Sequence, residues 1–282
     1  MDYRQLVVLV LQASIFLTVF GFGLRTRWID LQSVFHRPAA LARALLSMFI
    51  IMPAVAIGLC LAFELHPAVE IALAAISVSP TPPLIPNREI QAGGRAAYGI
   101  GLMAVTASLS IAIIPFAAPV VGHLLGLPMA MSTDALARLV AMSVILPLGL
   151  GMLVRIALPG PAARIHQPVV LCAVLALLLS LSAIVFAVMP AAILLIGNGT
   201  LLALAAFVAI GIAVGHWLGG PEPEDRAVLA LSTGCRHPGM AIAIAAANFP
   251  QETRVVAAAL LYLIVNITIS VAYIVRMRIK SV

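Results

Sequence analysis

Apolar runs of about twenty residues recur along the whole chain, parted only by short stretches that hold charge, proline or glycine. A helix needs ~20 apolar residues to cross the hydrocarbon core of a bilayer. Of the 282 residues, 63% are apolar and 9% charged, which supplies about nine such crossings. A soluble domain carries about 25% charged residues, so this chain is not one. Most of the apolar mass is Ala, Leu, Val and Ile, and no ten-residue polar/apolar alternation of a membrane barrel appears. The expected fold class is all-α integral membrane, with residues 1–282 forming a single transmembrane domain of nine helices.

The runs place the spans at about 5–24, 38–63, 68–86, 94–121, 134–157, 167–188, 191–218, 224–247 and 254–275. The first is read as a retained span, because no small-residue cleavage site follows it. Basic residues test this count, since short cytoplasmic loops hold an excess of them. With nine spans, Arg25, Arg27, Arg37, Arg88, Arg95, Arg155, Arg164, Arg226, Arg276, Arg278 and Lys280 fall on one side. Only Arg4, Arg138 and Arg254 fall on the other. The expected topology has the N-terminus outside and the C-terminus in the cytoplasm, in a bacterial inner membrane. The net charge of +6 is scattered singly between apolar runs, so no nucleic-acid partner is expected.

Two spans are unlike the rest. The third ends in Ser79-Pro80-Thr81-Pro82-Pro83-Leu84-Ile85-Pro86. Each proline removes a backbone donor and clashes with the preceding turn, so no continuous helix survives. The eighth is interrupted at Thr233-Gly234-Cys235-Arg236-His237-Pro238-Gly239. Unwound backbone at bilayer depth is tolerated where it is buried in protein or lines a cavity. Two interrupted segments in corresponding halves point to the binding site of a secondary transporter, although two ordinary proline kinks in a packed bundle is the plainer alternative. A cation at mid-membrane costs about 2.5–3.5 kcal/mol on insertion scales, so Arg236 is expected to face a partner or water. Glu89 is the candidate for an internal ion pair with it, and an anionic substrate is the other. His237 is a candidate proton carrier. The candidate substrate residues are Arg236, His237, Ser232 and Thr233 in the second break, with Thr81 and Asn87 near the first.

Other features point to packing. Cys60, Cys172 and Cys235 are dispersed in apolar stretches, with no disulfide framework or metal spacing. The pairs Gly122/Gly126, Gly211/Gly215 and Gly215/Gly219 are spaced for close helix approach. Glu222, Glu224 and Asp225 suit the positive end of a starting helix. Trp28 and Trp217 suit the membrane boundary. The ten acids fall nearly all in loops, and there is no His-Glu-x-x-His, so no enzyme is expected and no cofactor.

The chain also resembles the bile acid:sodium symporter family along nearly its whole length. Phe20-Gly21-Phe22-Gly23-Leu24, Arg37-Pro38 and Phe49-Ile50-Ile51-Met52-Pro53 match motifs of that family in order. Pro80 and Gly94 keep the spacing of its first crossover, and Ser232 to Ala241 aligns with its second. Asn266 matches an Asn of its last helix, which the resemblance places in the substrate cavity. The chain is similar to the nine-helix form. The resemblance implies inverted repeats forming core and panel domains, two broken crossing helices, and alternating-access transport of an organic anion with sodium.

The sodium ligands that the resemblance implies are substituted. The crossover Ser and Asn fall on Ile85 and Pro86, the Glu on Ser232 and the Gln after it on Arg236. The remaining positions fall on Met48, Gly99 and Met103. A guanidinium in low dielectric repels sodium at short range, so Arg236 is expected to stand in for the ion. That leaves a carrier of a small or medium organic anion not coupled to sodium through the family's usual sites, with protons as one candidate coupling ion. An ordinary sodium:organic anion symporter and a transport-deficient sensor or subunit are the alternatives.

Overall fold

The computed structural model describes residues 3–130 and 132–280. Met1 and Asp2 lie outside the described residues, and so do the side chains of Arg4 and Lys280, two of the basic residues used for the topology. All regular structure among the described residues is helical. The helices are α1 (Tyr3–Gly23), α2 (Trp28–Phe35), α3 (Pro38–Leu46), α4 (Met52–Ala62), α5 (Pro67–Val78), α6 (Ile85–Gln91) and α7 (Ala96–Leu125). They continue as α8 (Thr133–Val140), α9 (Leu146–Ala157), α10 (Pro159–Ile193), α11 (Thr200–Leu218), α12 (Pro223–Gly234), α13 (Pro238–Asn248) and α14 (Val255–Lys280).

Seven continuous helical stretches are long and apolar enough to cross a bilayer: Gln5–Gly23, Pro38–Ala62, Ala96–Leu125, Thr133–Ala157, Pro159–Ile193, Thr200–Leu218 and Val255–Ile279. The expected crossings at 68–86 and 224–247 are instead each made of two shorter helices, α5–α6 and α12–α13, with extended backbone between. Proline opens α3, α5, α10, α12 and α13, where its missing N–H costs nothing.

Two of the continuous stretches, Pro38–Ala62 and Thr133–Ala157, each carry a π-helical turn, Ser47–Ile51 between α3 and α4 and Ala141–Ile145 between α8 and α9. Pro53 and Pro147 stand two residues after the end of these turns. A proline ring clashes with the carbonyl four residues back, and a wider turn relieves the clash.

Three expectations need correction. The sixth span does not stop at Val188: α10 runs through Pro190 to Ile193 and begins already at Pro159, so Arg164 is helical. The turn falls instead at Asn198 and Gly199, both at positive φ (43° and 79°). Gly122 and Gly126 do not seat a neighbouring helix. Gly126 ends α7 in the left-handed region, and Gly122 lies under that same turn, where Leu127 N donates to its carbonyl at 2.8 Å. Cys172 is exposed, whereas Cys60 and Cys235 are buried.

Gly211 and Gly215 do seat a helix. A Cβ on Gly211 would lie 2.7 Å from Gly234 Cα, and one on Gly215 would strike the Leu229 carbonyl. They let α11 lie directly on α12. On the other side α1 packs against α9 and α10, and Gly23 and Gly151 meet backbone to backbone there. The first halves of the two broken spans, α5 and α12, are the most enclosed helices among the described residues. Ten of the twelve residues of α5 and nine of the twelve of α12 are buried. In α10 only Ala162, Ala173, Ser180 and Ala192 are buried out of 35 residues.

Candidate functional site

Helix α5 stops at Val78 because Ser79 turns extended (φ −70°, ψ 151°) ahead of Pro80. Helix α12 stops at Gly234 because Cys235 does the same (φ −106°, ψ 114°) ahead of Pro238. The two interruptions meet. The backbone N–H of His237 donates to the Pro80 carbonyl at 3.0 Å and reaches Ser79 Oγ, also at 3.0 Å. The His237 ring then turns onto its own chain, where Nδ1 accepts from Met240 N at 3.1 Å and caps α13.

Arg236 sits at the junction and is 1% exposed. Its Nη2 donates to the Ser77 carbonyl at 3.0 Å, one of the acceptors left open by the end of α5. Its guanidinium carbon lies 5.5 Å from the centre of the Phe49 ring. Its own backbone N–H donates to the Tyr262 hydroxyl at 2.7 Å. Nε and Nη1 are buried and have no hydrogen-bond partner among the described residues. Among the described residues no carboxylate lies within 4 Å of this guanidinium.

Glu89 therefore does not make the ion pair expected for it. It is 1% exposed on α6, and its Oε1 accepts from Ser232 Oγ at 2.6 Å. Its Oε2 has no hydrogen-bond partner among the described residues and faces Gly99, where a Cβ would overlap it. So Glu89 ties the helix after the first break to the helix before the second. The acids are less confined to loops than expected, since Glu89 and Asp225 are both buried on helices.

The other candidates divide. Thr233 Oγ1 pairs with Ser47 Oγ at 2.9 Å, and Thr81 Oγ1 with Thr106 Oγ1 at 2.9 Å. Asn266 joins the second break, its Nδ2 donating to the Gly234 carbonyl at 3.0 Å. Its Oδ1 accepts from Arg88 Nη1 at 3.1 Å, so Arg88 reaches into the site and is not simply a loop charge. Asn87 is half-buried on α6. The positions Met48, Ile85, Pro86 and Met103 are buried. Sequence reasoning passed over Tyr262, Ser77 and Phe49. Tyr262 had one signal, its position four residues before Asn266 on one helix face.

A charge cluster stands at the start of α12. Arg37 Nη2 lies 2.6 Å from Asp225 Oδ2, and Arg95 Nε lies 3.2 Å from Glu224 Oε2. The hydrogen bond to Asp225 raises the Arg37 pKa above its ordinary value, with burial partly opposing it. Glu224 and Asp225 are thus ion-paired as well as favourably placed on the dipole.

Residues 13–197, more than half of the chain, match the sequence profile of the Sodium Bile acid symporter family. The match contains the first break with Thr81, Asn87 and Glu89, and it ends before α11, so Ser232 to His237 and Asn266 lie beyond it. A search of curated proteins finds no match.

Proposed function

Because the chain belongs to the sodium bile acid symporter family, whose members are membrane transporters and not enzymes, we propose that it moves a small or medium organic anion by alternating access, without sodium at the family's usual positions. The single observation behind this reading is the Arg236 guanidinium: buried where the two breaks meet, without a carboxylate, and with two N–H-bearing nitrogens unanswered. Half-helix C-terminal ends are where transporters of this kind coordinate a coupling cation. Here a covalently held cation donates to such an end at Ser77. Its remaining donors suit a carboxylate or similar anion, because charge-assisted hydrogen bonds to guanidinium are strong and directional.

The reading carries further assignments. The substrate residues are Arg236, His237, Ser232, Thr233, Thr81, Asn87 and Asn266. Residues 1–282 form one domain with nine crossings in inverted repeats, counting each broken pair as one. Helices α1, α8–α9 and α10 act as the panel, and the rest act as the core, a division supported by the preference of α1 for α9 and α10. The N-terminus lies outside and the C-terminus in the cytoplasm, in a bacterial inner membrane. With sodium's place taken, the remaining modes are protons carried at Glu89 or His237, exchange of anions, and facilitated movement.

The test is uptake of labelled organic anions into proteoliposomes, with imposed sodium or pH gradients. Saturable uptake indifferent to sodium is expected. Strong sodium dependence counts against the reading. Absence of uptake for every anion tried would favour a transport-deficient sensor. In the triple variant Arg236→Gln, His237→Asn, Ser232→Glu, a gain of sodium dependence is expected.

A further inference from the structure

Where α1, α9 and α10 meet there is a cavity of about 350 Å³, lined by Leu24, Arg25, Arg155, Pro159, Ala163 and His166. None of these residues belongs to the broken helices. None is acidic, and among the described residues no carboxylate lies within 4 Å of Arg25 or Arg155. Arg155 is held in place by neutral acceptors only. Its Nη1 donates to the Leu24 carbonyl at 3.4 Å and to the Arg25 carbonyl, on the two residues that follow the end of α1. The positive charge is therefore fixed and not cancelled. The first turn of α10, which opens at Pro159 in the wall of the cavity, adds the positive end of its dipole.

Depth and surroundings narrow the ligand. Helix α10 has 35 residues, about 52 Å at 1.5 Å per residue, against ~30 Å of hydrocarbon. Its ends therefore project into the headgroup layers. The end at the cavity also carries exposed Arg164, while Ile156 and Leu158 alongside are 71% and 54% exposed. Basic sockets bordered by bare apolar side chains suit an amphiphile with an anionic head.

We propose that this cavity binds the phosphate headgroup of an anionic phospholipid, with the acyl chains lying along α9 and α10. The phosphate oxygens accept from Arg25 and Arg155, and His166 closes the socket. A zwitterionic headgroup is disfavoured because its cationic half meets the same cluster.

The test uses the full-length protein in neutral detergent and follows its Tm as phosphatidylglycerol, phosphatidylcholine or inorganic phosphate is added. A saturable rise with phosphatidylglycerol alone is expected. Arg25→Gln, whose side chain makes no hydrogen bond or ion pair among the described residues, should weaken the apparent affinity about fivefold. Arg155→Lys should weaken it less, since it keeps the charge and loses the fork. Arg138→Gln, on α8, should change nothing. An equal rise with phosphatidylcholine or with inorganic phosphate overturns the assignment, and so does an undiminished response in Arg25→Gln.

Discussion

Replacing Arg236 by methionine separates service to the fold from service to the cargo. Methionine keeps much of the length and none of the charge. Arginine gains one charge-assisted hydrogen bond, to the Ser77 carbonyl, worth ~1.5–3 kcal/mol. Its contact with the Phe49 ring adds ~2 kcal/mol when desolvated. Against these stand two buried nitrogens without an acceptor, ~1–3 kcal/mol each. Burial of an uncompensated charge costs several kcal/mol more. The variant loses the donor to Ser77, ~1–3 kcal/mol. The opposing terms are of similar size, so Arg236→Met should unfold within ~2 kcal/mol of the parent, a Tm change of at most ~8 °C. Anion uptake should fall about 10- to 100-fold, the value of one charge-assisted contact. Trp28 and Trp217 fluorescence reports the first quantity, and proteoliposome uptake the second. A Tm collapse that Arg236→Lys reverses would make the residue a strut of the fold, and unchanged uptake would remove it from the cargo's path.

The junction offers three more expectations. Ser232→Ala strips Glu89 Oε1 of its donor and should cost ~1–3 kcal/mol, with Glu89→Gln costing less; zero coupling in the double-mutant cycle would refute the bond's contribution. Gly99→Ala should overpack against the Glu89 carboxyl and cost ~1–3 kcal/mol, most of it recovered in Gly99→Ala with Glu89→Ala, as read by chemical denaturation. Gly215→Ala should force α11 off α12 and lower Tm, whereas Gly149→Ala, which meets nothing within 4 Å, should be neutral or stabilising by up to ~1 kcal/mol.

Both interruptions are legible in the sequence, because proline and glycine act locally: Pro80 and Pro238 cannot continue a helix whatever surrounds them. The long apolar runs were legible for the same kind of reason. Helix α2 was not. Its Trp28, Ile29 and Phe35 are exposed, so no buried stripe announced it, and what starts it is Asp30 accepting from the Arg27 backbone at 2.7 Å. The π turns were hidden because one extra residue in a turn leaves no mark on a fully apolar pattern. Pro190 misled because a transmembrane helix absorbs a proline that a soluble helix would not. The partners of Glu89 and Arg88 lie 143 and 178 residues away in sequence, and no periodicity reports such pairings. Charge alone suggested Arg236 for Glu89, yet Ser232 and Ser77 are the partners geometry provides.

The amide of His237 is answered by Pro80 and Ser79, and the Ser77 carbonyl near the end of α5 by Arg236. Neither rupture is self-sufficient. Sliding one strand past the other by a single turn would strand polar atoms on both, deep in apolar surroundings. On the transport reading proposed above, the two breaks move together as one block, and the hinge of any rocking lies outside them.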